Sequence, residues 1–164
     1  MQSTQSETGL AAQLSRLALG IAGAALVALT AVQAWQVVAR YVLNDSPGWT
    51  EPLALLLLNT AMCLGAAAAV QQRAHFGFPL LVHLAPPALR RGLEIFASLV
   101  SAGLGGVLAV GGAQLLLDGW PVRMAGTVLP QGILFAPLSL GGALICLFAL
   151  LQLRASPAAA VEPR

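Results

Sequence analysis

The spacing of charge along this chain leaves few folds open to it. Twenty-three uncharged residues separate Arg16 from Arg40, 21 separate Glu51 from Arg73, 23 separate Glu94 from Asp118, and 30 separate Arg123 from Arg154. A helix rises 1.5 Å per residue, so about 20 residues cross a hydrocarbon layer about 30 Å thick. Each interval is long enough to span a bilayer. Lipid offers no water to exposed backbone amides, and these runs lack the alternating pattern of barrel strands, so each must satisfy its own hydrogen bonds as a helix. The predicted fold is an all-α integral membrane protein with four transmembrane helices, near 17–39, 53–70, 95–117 and 133–153, joined by short loops. Residues 1–15 and 155–164, which are polar or rich in Ala and Pro, are read as mobile tails flanking a single transmembrane domain over 16–154. The first span carries a 23-residue apolar stretch, longer than the core of a secretory signal, and is read as a retained anchor.

Composition excludes the main alternatives. Of the 164 residues 58% are hydrophobic and 9% charged, where a soluble domain carries roughly 25% charged residues. All eight basic residues are arginines and the formal net charge is +2, too sparse for a nucleic-acid footprint. Cys63 and Cys146 lie inside apolar runs, where they read as small packing residues rather than as a disulfide or metal framework. His75 and His83 stand eight apart in a proline-interrupted loop without carboxylate or cysteine company, a poor basis for a metal site or a haem pair. Thus neither a cofactor nor a catalytic residue is expected.

Arginine counting sets the orientation. With four spans, both tails and the middle loop share one side, which holds Arg16, Arg73, Arg90, Arg91, Arg154 and Arg164. The opposite side holds Arg40 and Arg123. Six against two predicts that both termini are cytoplasmic. Trp35, Tyr41, Trp49 and Trp120 gather at the other face, as an interfacial anchor or a docking surface.

Within the spans there is no acid, arginine or histidine, the groups that a proton relay or coupling-ion site would require. Gln33, Gln36, Asn59, Thr60 and Gln114 are the notable polar residues, read as interhelical hydrogen-bonding groups. Small residues recur at four-residue spacing: Gly20, Ala24 and Ala28; Ala61, Gly65 and Ala69; Ser98, Ala102 and Gly106. Such stripes let helix backbones approach closely, within this chain or on a partner.

Two loops carry most of the remaining information. The first reads Arg40-Tyr-Val-Leu-Asn44-Asp-Ser46-Pro-Gly-Trp49-Thr-Glu51-Pro52. Either Ser46 or Thr50 is placed to cap the second helix, with Pro52 in its tolerant first turn, and Arg40 is within reach of Glu51 across the turn. The second, Arg73 to Arg91, mixes arginines with apolar residues and prolines, as an interfacial segment does.

In order along the chain stand Arg40-Tyr41-x-x-Asn44-x-Ser46-x-x-Trp49-x-Glu51, then Arg73-x-His75, then Leu84-x-Pro86 before Arg90 and Arg91, and finally Pro130 and Pro137 followed by Gly141-Gly142. This pattern, spread over roughly Leu17 to Leu153, resembles the small membrane subunit (DctQ type) of tripartite ATP-independent periplasmic, or TRAP, transporters. The chain departs from the family pattern at Pro52 and Pro79, where acids are common, and in the purely apolar stretch from Leu55 to Leu58.

The resemblance implies a non-catalytic small permease subunit in the bacterial inner membrane. Its partners would be a large multi-span permease subunit, which it scaffolds, and a periplasmic substrate-binding protein. The assembled system would take up an organic anion, such as a carboxylate or sugar acid, with sodium. On this reading Arg40, Tyr41, Asn44, Ser46, Trp49 and Glu51 shape the periplasmic end, and Arg73 and His75 the cytoplasmic end. Pro130 and Pro137 shape the start of the last span, where Gly141 and Gly142 allow close helix contact. The small subunit of tripartite tricarboxylate-type transporters shares the composition and span number, and the loop motifs favour TRAP. A small self-assembling proton-coupled exporter would need a membrane-embedded carboxylate, which this chain lacks.

Overall fold

A computed structural model describes residues 2–45, 47–72, 87–124 and 126–155. Four α-helices dominate it: α1 (Gln2–Tyr41), α2 (Thr50–Gln71), α3 (Pro87–Asp118) and α4 (Ala136–Ala155), with a 3-10 turn over Gln131–Phe135 leading into α4. The apolar segments Ala11–Tyr41, Thr50–Gln71, Gly92–Asp118 and Gln131–Leu153 are each long enough to cross a membrane. They contain the four intervals assigned from charge spacing.

Helix ends follow the local chemistry. Pro87 opens α3, where a missing N–H costs nothing, so the helix takes in the last part of the stretch read as interfacial. Helix α1 begins at Gln2, well ahead of Leu17. Its buried line of Ala11, Ser15, Ala18, Ala22 and Ala25 continues toward the N-terminus at alternating three- and four-residue steps, so packing extends the helix beyond its charge-free interval. Residues 156–164 lie outside the described residues.

Side by side, the helices run α1, α2, α4, α3. Their order in space differs from their order in sequence because α4 inserts between α2 and α3. Adjacent glycines mark the insertion. A methyl group built on Gly141 would sit 2.6 Å from the Cβ of Cys63 on α2, and one on Gly142 would sit 2.5 Å from the backbone nitrogen of Ala109 on α3. Successive helical residues point about 100° apart, so these neighbours face two different helices.

Helices α3 and α4 meet along an antiparallel seam with a seven-residue repeat. Gly105 faces Cys146, Gly112 faces Ser139 and Gly119 faces Gly132; a Cβ at these three glycines would lie 2.6, 2.7 and 2.8 Å from backbone atoms opposite. A seven-residue step keeps one stripe in register between supercoiled helices. The Ser139 hydroxyl donates to the carbonyl of Ala109 across the seam at 3.1 Å.

This packing keeps part of the four-residue stripes, since Ala61 and Ser98 are buried and Ala102 packs against the buried cluster, and corrects the rest. Gly106 and Gly65 have nothing within 4 Å of an added Cβ, and Gly20 is exposed with the same open space. Ala24 is also exposed, whereas its neighbours Ala22 and Ala25 are buried. In a helix apolar all round, several small-residue stripes can be drawn, and the neighbouring helix selects among them.

Helices α2 and α4 run parallel, and side-chain amides tie the middle of α2 to the 3-10 turn ahead of α4 and the end of α2 to the last turns of α4. Asn59 Nδ2 donates to the carbonyl of Leu134 at 2.8 Å, and Gln152 Nε2 donates to the carbonyl of Val70 at 2.6 Å. Near the Gln152 clamp, Ala11 of α1, Ala67 and Val70 of α2, and Ile145, Phe148 and Ala149 of α4 form one buried cluster. Thr30, Thr60 and Ser98 return their hydroxyls to the carbonyl four residues earlier in their own helices, which satisfies them in a medium without water. Gln33, Gln36 and Gln114 make no hydrogen bond among the described residues, unlike the interhelical role expected of them.

Candidate functional site

Of the residues singled out by the sequence, Arg40, Tyr41, Asn44, Trp49 and Glu51 lie at one end of the molecule. Arg40 lies in the last turn of α1, where a cation complements the helix dipole. Arg40, Tyr41 and Glu51 are exposed, and no ion pair joins Arg40 to Glu51 among the described residues. The proposed bridge across the turn is therefore not formed. The chain leaves α1 through hydrogen bonds from Val42 N to Val38 O (2.8 Å) and from Asp45 N to Ala39 O (3.1 Å). Asn44 turns it with φ at 51°, in the left-handed region that asparagine tolerates better than most residues.

The start of α2 differs from the cap expected of Thr50. Trp49 occupies the cap position in a helical conformation and no side chain caps the helix. Thr50 is instead fully buried, and its hydroxyl reaches back to the carbonyl of Pro47 at 2.8 Å. The hydroxyl thus ties the loop to the helix rather than capping free amides. Ser46, like Arg73 and His75, lies outside the described residues.

Opposite this loop, the connection between α3 and α4 folds back on itself. Arg123 and Pro130 form an antiparallel bridge, Gln131 N donates to Val122 O at 2.8 Å, and Met124 N donates to Leu129 O at 3.1 Å. Arg123 Nη1 closes the turn on the carbonyl of Val128 at 3.1 Å. Pro130 precedes the 3-10 turn in an extended conformation, and the buried Pro137 sits in the first turn of α4. The two prolines bracket the turn and fix how the chain enters its last helix.

The two loops meet backbone to backbone. Gly126 has φ at 78°, and a Cβ there would lie 2.6 Å from the carbonyl oxygen of Gly48. Only glycine combines that dihedral with so close an approach. Neither glycine was marked by the sequence motifs, although both sit in loops dense in turn residues. Between the loops lies a cavity of about 120 Å³. Its walls are Trp49, Pro52, Leu53 and Leu56 from the start of α2, Met124, Thr127 and Leu129 from the facing loop, and Ile133 and Leu134 from the 3-10 turn.

Arg40, Tyr41, Asn44, Trp49 and Glu51 thus share one end with Pro130, while Pro137, Gly141 and Gly142 belong to the helix contacts of α4. Among the described residues, no group of three or more His, Cys, Asp or Glu comes together. This end presents exposed charge, aromatic rings and an apolar recess, features suited to contact.

Comparison with known proteins agrees with the helical layout and the loop motifs. Residues 29–156 match the family described as "Tripartite ATP-independent periplasmic transporters, DctQ component". Over 87 residues the chain is 30% identical to the "Sialic acid TRAP transporter small permease protein SiaQ" of Vibrio cholerae. That alignment covers 52% of this chain and 50% of the relative, so the chain spans about half the length of the curated protein it matches.

Proposed function

Because the chain belongs to the DctQ component family of tripartite ATP-independent periplasmic transporters, we propose that it is the non-catalytic scaffold on which a large permease subunit performs sodium-coupled uptake of an organic anion. It is a multi-pass membrane protein; on this reading it sits in the bacterial inner membrane, and the excess of arginine on one side supports cytoplasmic termini with the Trp49 end in the periplasm. A periplasmic substrate-binding protein delivers a carboxylate or sugar acid to the assembled transporter. Sialic acid, named for the Vibrio relative, is one such sugar acid.

The observation that carries the scaffold reading is the side-by-side order of the helices. α4 is held on two sides, by glycine contact with α3 and by amide clamps to α2, while α1 and α3 stand at the two edges of the row. The edge helices leave long apolar faces, including Leu17, Ile21 and Val27 on α1 and Leu104, Val107 and Val110 on α3. Such faces suit lipid on one side and a large membrane subunit on the other. With no acid, arginine or histidine inside the spans, ion coupling falls to the partner.

Coexpression with a large permease subunit and a substrate-binding protein of a TRAP system tests this reading. The chain is expected to copurify with the large subunit, and deleting it is expected to abolish sodium-dependent uptake. Uptake that survives complete loss of the chain overturns the scaffold role.

A further inference from the structure

The cavity beside Trp49 is not explained by helix packing, and its chemistry narrows what can fill it. Among the described residues, Trp49 and Thr127 supply the only polar side-chain groups in its walls, and the Thr127 oxygen already accepts a hydrogen bond from Leu129 N at 3.3 Å. A buried water needs two to four polar partners, so water is a poor occupant. At about 30 Å³ per water-sized group, a cavity of about 120 Å³ holds roughly four such groups, as a short run of methylenes would fill it. From Trp49 to Leu56 is seven residues, so the wall reaches about 10 Å along α2 from the tryptophan layer. At that depth the abundant apolar species in a bilayer is the acyl chain.

The rim adds charge to this apolar recess. Arg123 precedes the wall residue Met124 and is tied to Val128, which stands between Thr127 and Leu129. Its side chain is exposed, and one contact to a carbonyl leaves further N–H donors for an anion. The indole N–H of Trp49 has no hydrogen-bond partner among the described residues. The walls are also preformed, since the Gly48 to Gly126 contact, the Thr50 to Pro47 bond and the Arg123 to Pro130 bridge hold them on both sides.

We propose that this cavity is a phospholipid site, in which one acyl chain lies between α2 and the α3–α4 connection and Arg123 meets the anionic headgroup. The proposal does not rest on the transporter reading. It would hold for the chain in any bilayer.

Fluorescence quenching tests it in the full-length chain. With Trp35 and Trp120 replaced by Phe, Trp49 is the sole tryptophan. The protein is placed in vesicles of phosphatidylethanolamine and phosphatidylglycerol containing dibrominated phosphatidylglycerol or dibrominated phosphatidylcholine. Quenching of Trp49 is expected to saturate at low bromolipid fraction, with about fivefold preference for the anionic headgroup. Arg123→Gln should remove that preference, and Leu56→Phe should remove the saturable component. Thr127→Leu fills the same space from the loop and serves if Leu56→Phe does not fold by circular dichroism. Quenching in simple proportion to bromolipid content, insensitivity to the filling variants, or shielding of Trp49 from both lipids, as by a protein side chain in the cavity, overturns the proposal.

Discussion

Gly112 lies directly against the backbone of Ser139: a Cβ on the glycine would sit 2.7 Å from the serine nitrogen. The Ser139 hydroxyl then spans the same contact to reach Ala109 O at 3.1 Å. One residue thus sets both how near α3 and α4 approach and whether a hydrogen bond can cross between them. In lipid, where apolar burial gives little drive for association, such close packing holds helices together.

Gly112→Leu is therefore expected to destabilise the chain by about 1–3 kcal/mol or more, because backbone atoms opposite cannot yield as a flexible side chain would. Gly106→Leu, at a glycine with open space around it, is expected to be neutral or slightly stabilising, since leucine is the better helix former. Reversible unfolding of both variants in detergent checks the contrast. Equal loss at the two positions would place the seam on the wrong face.

The amide clamps carry a smaller share. Asn59→Ala and Gln152→Leu should each cost about 1 kcal/mol, the usual scale of interhelical hydrogen bonds in membrane proteins. The clamps lie eleven residues apart on α2, about 16 Å along the helix, and share no partner, so the double variant should show nearly additive loss. A denaturation series on both single variants and the double variant measures it.

Asn44 offers a test of backbone against side chain. Its φ of 51° costs most L-residues roughly 1–2 kcal/mol. Asn44→Gly is expected to keep stability, whereas Asn44→Val should lose about that amount. If Asn44→Gly also impairs uptake by the assembled transporter while leaving stability intact, the side chain acts on a partner.

Orientation can be read by cysteine labelling. Val128 is 81% exposed at the Trp49 end, so Val128→Cys, in a background with Cys63 and Cys146 replaced by Ala, should react with an impermeant maleimide in intact spheroplasts. Gln5→Cys should react only after the membrane is opened. The reverse pattern would invert the topology drawn from arginine counting.

Much of this protein was legible in its charge spacing. The intervals bounded by Arg16, Arg40, Glu51, Arg73, Glu94, Asp118, Arg123 and Arg154 determined four spanning helices, because a charge in hydrocarbon is costly wherever the chain later packs. The loop motifs around Arg40 to Glu51 pointed to the family for a related reason, since polar residues are few and their order is distinctive. Which helices would touch was not written in that pattern. Lipid and protein interior are both apolar, so hydrophobicity does not distinguish a packed face from an exposed one, and among 17 glycines many stripes are possible. Only the tertiary structure set α4 between α2 and α3, chose Gly105, Gly112 and Gly119 over Gly106, and brought Gly48 against Gly126. Those choices depend on the shape of the neighbouring backbone, which no single segment encodes.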